Sequence, residues 1–317
     1  MLPRRILVTG ATGLIGNAVI PLLLEAGCQV RATARNSAQA PWSRHPACTF
    51  VQHDLLKDDP ARLVDGINAV IHLAARVHVM QDRADDPLQE NRHLNRDATL
   101  ALARAAAAGS VRQFVFTSTV KVNGESTTLQ PFTEADKPDP RDSYAISKWE
   151  AETQLAELAA NSTLGITIIR PPLVYGPGVK GNFASLMRAI AKGLPLPLGR
   201  VRNKRSLIYV GNLADAIMAT LSQPSIGTRI FLVSDGHDLS TPELIRALAN
   251  AMEQSARLVP VPLVLLQLAG MLTGQSGTIA RLLDSLAIDT SRIRSEIGWK
   301  PRFTILEGLS ATVNAPR

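Results

Sequence analysis

The chain has 317 residues, which is long for one compact core, so we expect a large domain with a smaller one appended. Hydrophobic residues make up 45% of it, a share that excludes a disordered protein. The formal net charge of +7 is spread along the chain without a basic tail, which favours a small anionic ligand over nucleic acid.

Apolar, strand-like segments alternate with helical patterns through the first half of the chain. Continuous runs of Val, Ile and Leu are typical of parallel strands covered by helices on both faces. The pattern therefore predicts an α/β fold with a doubly wound parallel sheet of the Rossmann type. The predicted strands are 5–9, 29–33, 49–52, 69–73, 114–117, 166–170 and 229–233, and the clearest predicted helices are 15–26, 94–108 and 143–160.

A glycine-rich turn follows the first predicted strand and opens the first predicted helix. Gly10 permits the tight turn, Gly13 lets backbone approach a pyrophosphate, and Gly16 lets the helix pack closely on the strand. The helix N-terminus offers its free N–H groups to the anion. This position in a βα unit favours a dinucleotide-binding turn over an ordinary glycine-rich connection.

The end of the second strand bears on which dinucleotide is bound. NAD-specific sites place an acidic residue there for the ribose hydroxyls, whereas this chain has Ala34 followed by Arg35. A guanidinium with no adjacent carboxylate suits a 2′-phosphate, so NADP(H) is favoured over NAD. The other interpretation of Arg35 is a solvated surface charge. Asp54, after the third strand, is either an adenine contact or a turn carboxylate.

A phenol, an ammonium group and two hydroxyls form the predicted catalytic centre. Tyr144 and Lys148 lie four residues apart and so share one helix face, and Ser118 and Thr119 follow a strand at the edge where such sheets bind ligands. Hydride transfer at an alcohol carbon requires a proton to move on its oxygen. Tyrosine is a poor base at neutral pH, and we expect the Lys148 cation to lower the phenol pKa.

These motifs together resemble the extended short-chain dehydrogenase/reductase family, of the NAD-dependent epimerase/dehydratase type. The resemblance continues through His72-Leu73-Ala74-Ala75 and through residues 170–177, 205–210 and 297–301, and it covers nearly the whole chain. Within the family the chain is similar to bacterial UDP-sugar 4-epimerases and UDP-4-keto-sugar reductases of surface-polysaccharide synthesis.

The resemblance implies a role for each matching residue. The implied catalytic residues are Ser118, Thr119, Tyr144 and Lys148. The implied substrate-binding residues are Thr119, Tyr144, Asn182, Arg205 and, on a less clear match, Arg281. The implied contacts to NADP (or NAD) are Gly10, Thr12, Gly13, Leu14, Ile15, Gly16, Arg35, Asp54, Leu55, Leu73, Ala74, Ala75, Asn95, Lys148 and Pro171.

The resemblance also implies how the chain is organised. Residues 1–175, with 205–240 returning to them, are expected to form the dinucleotide-binding domain. Residues 176–204 and 241–317 are expected to form a smaller C-terminal α/β domain that binds the nucleotide sugar. The implied substrate is a UDP-sugar, and the implied assembly is a homodimer through helices 94–108 and 143–160.

Two departures from the epimerase pattern favour a reductase. Ala34-Arg35 replaces the usual acid, and Leu173 stands where those enzymes usually have Asn. The favoured function is NADPH-dependent reduction of the C4 keto group of a UDP-linked, 6-deoxy, N-acetylated hexulose, with the proton from Tyr144. A UDP-hexose or UDP-N-acetylhexosamine 4-epimerase with tightly bound NAD remains the alternative.

Two further functions are open. A non-catalytic NADP-sensing protein is disfavoured because it has no need of Thr119, Tyr144 and Lys148. Reduction of an apolar alcohol or ketone is disfavoured because it gives Arg205 no anion.

The sequence lacks the signals of a metal site, a secreted protein and a membrane span. The six histidines are scattered without paired spacing, so no metal site is expected. Only Cys28 and Cys48 are present, and an apolar strand starts almost at Met1, so we expect a cytoplasmic protein without a signal peptide. The apolar stretch 259–272 is short and broken by Pro260 and Pro262, which predicts a packed helix and no membrane partner.

Overall fold

The computed structural model describes residues 2–36, 39–77, 85–274 and 276–315. The strands are β1 Arg5–Thr9, β2 Gln29–Ala34, β3 Cys48–Gln52, β4 Ala69–His72, β5 Gln113–Thr117, β6 Gly165–Arg170, β7 Leu173–Tyr175, β8 Leu207–Tyr209 and β9 Thr228–Leu232. The α-helices are α1 Leu14–Glu25, α2 Ala61–Val64, α3 Pro87–Arg92, α4 Thr99–Ala108, α5 Ser143–Ala160, α6 Gly181–Ala191, α7 Val210–Ser222, α8 Thr241–Ala251, α9 Leu263–Leu272, α10 Ser276–Leu283, α11 Ser291–Ile297 and α12 Ile305–Val313.

Within the described ranges, the main sheet has the order β3-β2-β1-β4-β5-β6-β9 with every neighbouring pair parallel. β7 and β8 form a separate parallel pair. The strand order reverses between β1 and β4, which makes the carboxyl edge there a topological switch point where such sheets bind ligands. The prediction of a doubly wound parallel sheet is confirmed.

The sheet is buried because apolar helix faces cover both of its sides. On one side, Val19, Ile20 and Leu23 of α1 pack into a cluster that also contains Ile217 and Leu221 of α7. On the other side, the covering residues are Leu102, Ala103 and Ala106 of α4 and Ala151, Leu155 and Ala159 of α5. All residues of β4 and β6 are buried, which explains why these strands have no polar face.

A third buried cluster lies away from the sheet, among α6, α8, α9 and α12 with β7 and β8. The division of the chain into two domains stays a prediction. α11 and Trp299, which were assigned to the smaller domain, contribute Ile293, Ile297 and Trp299 to the cluster of the main sheet.

The helix predicted over 94–108 is present, but it is not α-helical throughout. A π-helical turn, His93–Ala98, precedes α4. The Thr99 hydroxyl donates to the Asn95 carbonyl oxygen at 2.8 Å, and the Asn95 side chain is held by partners outside the helix. Such single π turns inside helices are frequent at functional sites.

The expectation of a packed helix in 259–272 is also wrong in part. α9 forms there, but only Leu266 and Gly270 are buried, while most of its apolar side chains are exposed. No helix in the described residues is long and apolar enough to cross a bilayer.

Candidate active site

The glycine turn between β1 and α1 has the backbone that a pyrophosphate needs. Gly10 has a φ of 66°, and a Cβ there would lie 2.7 Å from the Ala74 backbone nitrogen. A Cβ on Gly16 would lie 2.4 Å from the Ala11 carbonyl oxygen. Because no side chain caps the N-terminus of α1, its first N–H groups remain for an anion. These residues fit a dinucleotide.

The other predicted cofactor contacts lie along the same edge of the sheet. Thr12, Leu14 and Ile15 belong to the turn and the start of α1, Leu73, Ala74 and Ala75 follow β4, and Pro171 follows β6. Leu55, after β3, packs partly against the buried cluster of α4 and α5. The Asp54 carboxylate accepts the Leu56 backbone N–H at 3.1 Å, so it serves at least as a turn carboxylate.

Arg35 lies directly after β2, beside this turn. The Ala11 N–H donates to the Thr33 carbonyl oxygen at 3.1 Å, which ties the end of β2 to the glycine turn. The Arg35 side chain is exposed, and no carboxylate in the described part of the chain forms an ion pair with it. Its guanidinium is therefore available to a ligand at the turn.

A capped helix start places Tyr144 and Lys148. The Asp142 carboxylate accepts the Ala145 N–H at 2.7 Å and also accepts from Lys121 Nζ, so α5 begins at a fixed point. Tyr144 is half-buried in the first turn, and Lys148, one turn later, is 1% exposed. Lys148 Nζ lies 3.8 Å from the Phe116 ring centroid, which places the ammonium group at the end of β5.

The loop after β5 supplies the two predicted hydroxyls. The Ser118 N–H donates to the Ile169 carbonyl oxygen at 2.7 Å, which fixes the loop against β6. The Ser118 hydroxyl is buried and has no partner among the described atoms. Thr119 is 9% exposed, and its hydroxyl oxygen accepts the Lys121 N–H at 3.3 Å. The structure thus brings Ser118, Thr119 and Lys148 together at the carboxyl edge.

Burial shifts the pKa values of Tyr144 and Lys148, two of the titratable groups on α5. It raises the pKa of Tyr144 above its ordinary value, and the charge of Asp142 adds to the effect. It lowers the pKa of Lys148 to about 7, against the opposing charge of Glu152. The expectation that Lys148 lowers the phenol pKa is not met in this structure, because the cost of burying a phenolate dominates. Tyr144 is protonated at neutral pH and is ready to donate.

His72, at the end of β4, has one definite protonation state. Burial and the charge of Lys148 lower the pKa of His72 to about 3, so the ring is neutral. The Thr99 hydroxyl donates its proton to Asn95 and must accept from His72 Nε2–H, at 2.9 Å. His72 Nδ1 then accepts from the Thr9 hydroxyl at 2.7 Å, whose oxygen accepts the Ala74 N–H at 3.3 Å.

Asn95 extends this network to α5. It is fully buried, donates to Ser147 Oγ at 3.0 Å and exchanges two hydrogen bonds with the Arg76 backbone. Ser147 directly precedes Lys148 in the chain. The glycine turn and α5 are therefore joined by one hydrogen-bonded path in which Asn95 positions other groups.

A buried ion pair lies one turn beyond Lys148. Arg170 donates to Glu152 through Nε at 3.0 Å and through Nη2 at 2.5 Å, and both side chains are 3% exposed. Arg170 Nη1 also donates to Asn123 Oδ1 at 2.9 Å. The pair joins α5 to the end of β6 with the planar geometry that guanidinium and carboxylate favour.

Sequence reasoning missed His72, Ser147, Glu152 and Arg170 as parts of the site. Glu152 could have been predicted from the sequence, because it lies four residues after Lys148 on a helix face whose further residues are apolar. His72 was noticed only within a motif.

Arg205 and Arg281 are the two arginines predicted to bind the substrate. Burial lowers the pKa of Arg205, against the opposing charge of Asp284, and the positive charge of Arg281 lowers it further. Arg205 Nη1 donates to the Asp284 carbonyl oxygen at 3.3 Å. Two cations without an ion pair among the described residues suit an anion of more than one charge.

The structure does not join Asn182 to these arginines. It is exposed in the first turn of α6, and no hydrogen bond links it to either of them in the described part of the chain. Leu173, the first residue of β7, is 45% exposed. Among the described residues, no cluster of three His, Cys, Asp or Glu side chains is arranged to hold a metal.

Comparisons with known proteins agree with this geometry. The "NAD dependent epimerase/dehydratase family" matches residues 6–233. A Vibrio cholerae protein named UDP-glucose 4-epimerase is 41% identical over 99% of this chain and 96% of its own. A Pseudomonas aeruginosa GDP-6-deoxy-D-mannose reductase is 28% identical over 98% of this chain and 96% of its own.

The fold has close structural neighbours as well. The UDP-N-acetylglucosamine 4-epimerase of Methanobrevibacter ruminantium M1, solved with UDP-N-acetylmuramic acid, superposes with a TM-score of 0.81 over 99% of this chain and 98% of that one, at 22% identity. The predictions of an enzyme, of a nicotinamide cofactor and of the extended short-chain dehydrogenase type are confirmed. The chain belongs to the NAD dependent epimerase/dehydratase family.

Proposed function

We propose that the protein reduces the C4 keto group of a UDP-linked, 6-deoxy, N-acetylated hexulose with NADPH. The observation that carries this choice is the unpaired, exposed guanidinium of Arg35 after Ala34, at the position where NAD sites place an acid. A relative named as a GDP-6-deoxy-D-mannose reductase supports reduction as a chemistry of this family.

The chain's own groups supply the proton side of the reduction. When bound, the nicotinamide supplies the hydride for the C4 carbon. Tyr144 keeps its proton at neutral pH because burial raises its pKa, and it gives this proton to the C4 oxygen as that oxygen becomes a hydroxyl. Lys148, charged or neutral near pH 7, stabilises the phenolate that forms. Thr119 and Ser118 hold the carbonyl oxygen toward the phenol.

The diphosphate end of the substrate is assigned to the two arginines. The positive charge of Arg281 contributes to the lowered pKa of Arg205, so the two cations repel each other. A diphosphate removes this repulsion and gains charge-assisted hydrogen bonds. Asn182 is proposed as a further contact to the same group, from the first turn of α6.

The test is the cofactor preference of Arg35→Ala. We expect NADPH binding to weaken by about 1.5 to 3 kcal/mol, the range for a hydrogen bond to a charged group, with NADH binding little changed. Arg112→Ala is the matched control, because this exposed arginine precedes β5 at the opposite edge of the sheet. A wild-type protein that binds NAD better than NADP, or equal losses in both variants, would contradict the proposal.

A 4-epimerase is the second candidate, and the 41% identical Vibrio cholerae relative favours it. An epimerase returns the hydride to the opposite face of the same sugar and keeps its NAD bound between turnovers. Oxidised cofactor that survives gel filtration, together with interconversion of UDP-hexoses without added cofactor, would identify the epimerase. NADPH oxidation that depends on a UDP-4-keto sugar would identify the reductase.

A further inference from the structure

α9 presents an apolar face to solvent. Its outward side chains recur at helical spacing and are 64, 56, 49, 68 and 88% exposed, in the order Val264, Leu265, Leu268, Met271 and Leu272. Leu266 and Gly270, on the opposite side, are the buried residues of the helix. A monomeric protein rarely exposes so large an apolar surface, so we expect the α9 face to be covered.

A strongly basic segment lies beside the α9 face. Residues 176–205 hold seven Lys or Arg side chains and no Asp or Glu, against a formal net charge of +7 for the whole chain. In the described part of the chain none of the seven forms an ion pair with a carboxylate. Six of the seven are exposed, namely Lys180, Arg188, Lys192, Arg200, Arg202 and Lys204.

Backbone hydrogen bonds hold the two features together. The Leu196 N–H donates to the Arg257 carbonyl oxygen and the Val259 N–H to that of Leu196, both at 2.8 Å. The chain then runs from Val259 directly into α9 at Leu263. Leu194 and Val259 are themselves 48% and 41% exposed, so apolar side chains are also exposed where the two features meet.

We propose that the α9 face and the basic segment dock the protein on the surface of an anionic phospholipid bilayer. The apolar side chains enter the boundary between headgroups and acyl chains, and the cations lie against the headgroup phosphates. Apolar burial together with attraction to anionic lipid is the combination that holds an interfacial helix without spanning the bilayer. This departs from the sequence-based expectation of no membrane partner.

The positive charges of the basic segment disfavour a second copy of the chain as the partner that covers the α9 face. A two-fold symmetric contact through the α9 face places the same patch on both partners. Each basic segment would then lie beside its own copy, and like charges repel across a dry interface. An anionic surface, in contrast, attracts the basic segment.

Vesicle flotation without substrate tests this proposal, so the result does not depend on the enzymatic function. We expect the protein to float with phosphatidylcholine vesicles that contain about 30 mol% phosphatidylglycerol, and not with phosphatidylcholine alone. Raising the salt from about 0.1 M to about 0.5 M should release much of it, because screening weakens the ionic part.

Two variants with matched controls separate the two contributions. Leu268→Glu/Leu272→Glu should lower the partition coefficient at least about tenfold, because it places charges at the acyl boundary. Leu129→Glu/Ile226→Glu, the same change at residues 93% and 92% exposed elsewhere, should lower it clearly less. Lys192→Glu/Arg202→Glu should also lower it about tenfold or more, whereas Arg62→Glu/Arg112→Glu, with the same change in net charge, should lower it clearly less.

Three results would overturn the proposal. The first is a wild-type protein that does not float with anionic vesicles at low salt. The second is an equal loss of flotation in the variants and their controls. The third is a wild-type oligomer that Leu268→Glu/Leu272→Glu dissociates, which would identify the α9 face as a protein interface.

Discussion

The phenol of Tyr144 holds its proton at neutral pH, because burial and the Asp142 carboxylate both raise its pKa. A group in this state acts as an acid toward a carbonyl oxygen. We predict that Tyr144→Phe leaves folding and NADPH binding nearly unchanged and lowers turnover by about 10² to 10⁴, the usual scale for loss of an acid or base. Steady-state kinetics with a UDP-4-keto sugar measure this.

Tyr209→Phe is the control for that variant, since the chain has only three tyrosines and the hydroxyl of Tyr175 is bonded to Asp235. Tyr209 makes no side-chain hydrogen bond in the described part of the chain, so its hydroxyl is dispensable there. Full activity of Tyr144→Phe would remove Tyr144 from the mechanism.

Lys148 links the site to a pH-dependent stability. Its pKa is about 7 when folded and near 10.5 when unfolded, so the unfolded chain binds more protons between these values. Stability of the wild type should therefore rise with pH in this window, by about 1.4 kcal/mol per pH unit from this group. Lys148→Met should lack that rise.

The measurement is the difference in unfolding free energy between wild type and Lys148→Met from pH 7 to 9. Taking the difference cancels the contributions of Cys28 and Cys48, whose pKa values are raised by burial. A difference in unfolding free energy that does not change with pH would show that folding does not lower the pKa of Lys148.

At the scale of elements, the ends of β1 and β4, the π-helical turn before α4 and the start of α5 act as one unit. The path from the Ala74 N–H through Thr9, His72, Thr99 and Asn95 has a single direction of donation. This path fixes the glycine turn relative to α5. We therefore expect the loss of one of its hydrogen bonds to disturb cofactor binding more than the proton transfer.

We predict that His72→Phe keeps a ring against Phe116, on which His72 stacks, but leaves the Thr9 hydroxyl without its acceptor and the Thr99 oxygen without its imidazole donor. Stability should fall by about 1 to 3 kcal/mol per unsatisfied group, and the Kd for NADPH should rise. The difference in stability between wild type and variant should shrink from pH 6.5 toward pH 4. In this range His72 of the unfolded wild type, with a pKa near 6.5, takes up a proton, whereas the folded form, with a pKa of about 3, does not. Protonation therefore destabilises only the wild type.

Chemical denaturation across this pH range, paired with cofactor titration, measures both effects. His237→Phe is the control, because His237 is exposed and has no side-chain hydrogen bond among the described residues. A deficit that stays constant with pH would show that His72 does not resist protonation in the folded protein.

The sequence predicts an element well where its capping residues and its apolar pattern specify the same structure as its packing in the fold. α5 begins and ends where expected, because Asp142 caps it and Ala and Leu fill its buried face. The π turn that begins the 94–108 helix was not predicted, because the Asn95 side chain there binds Ser147 and the Arg76 backbone, which are distant in sequence. Hydrophobicity alone cannot tell which face of α9 is packed, since nearly every residue of that helix is apolar.

The candidate site shows the same limit. Tyr144, Lys148 and the glycine turn follow spacing rules that a single segment carries. The bonds of His72 to Thr9 and Thr99 each join separate segments, and so does the pairing of Glu152 with Arg170. Only the order of strands in the sheet brings those segments together.

At the scale of the whole molecule, α4 and α5 lie on one side of the sheet and share an outer surface that carries an exposed aromatic side chain. Trp149 of α5 is 40% exposed there. The neighbouring Glu150 accepts from Arg92 at 2.9 Å and from Arg96 at 3.0 Å, which fixes this part of α5 against α3 and the π turn. A rigid surface with an exposed aromatic side chain is suited to a protein interface.

We predict that the protein is a homodimer through these two helices at micromolar concentration, in a four-helix arrangement. Trp149→Glu should dissociate it in analytical ultracentrifugation, because a carboxylate at the centre of an apolar interface has no partner. Ile226→Glu, at a residue 92% exposed outside both helices, should leave the dimer intact. A monomeric wild type would contradict the prediction, and a Trp149→Glu protein that remains dimeric would place the interface on another surface.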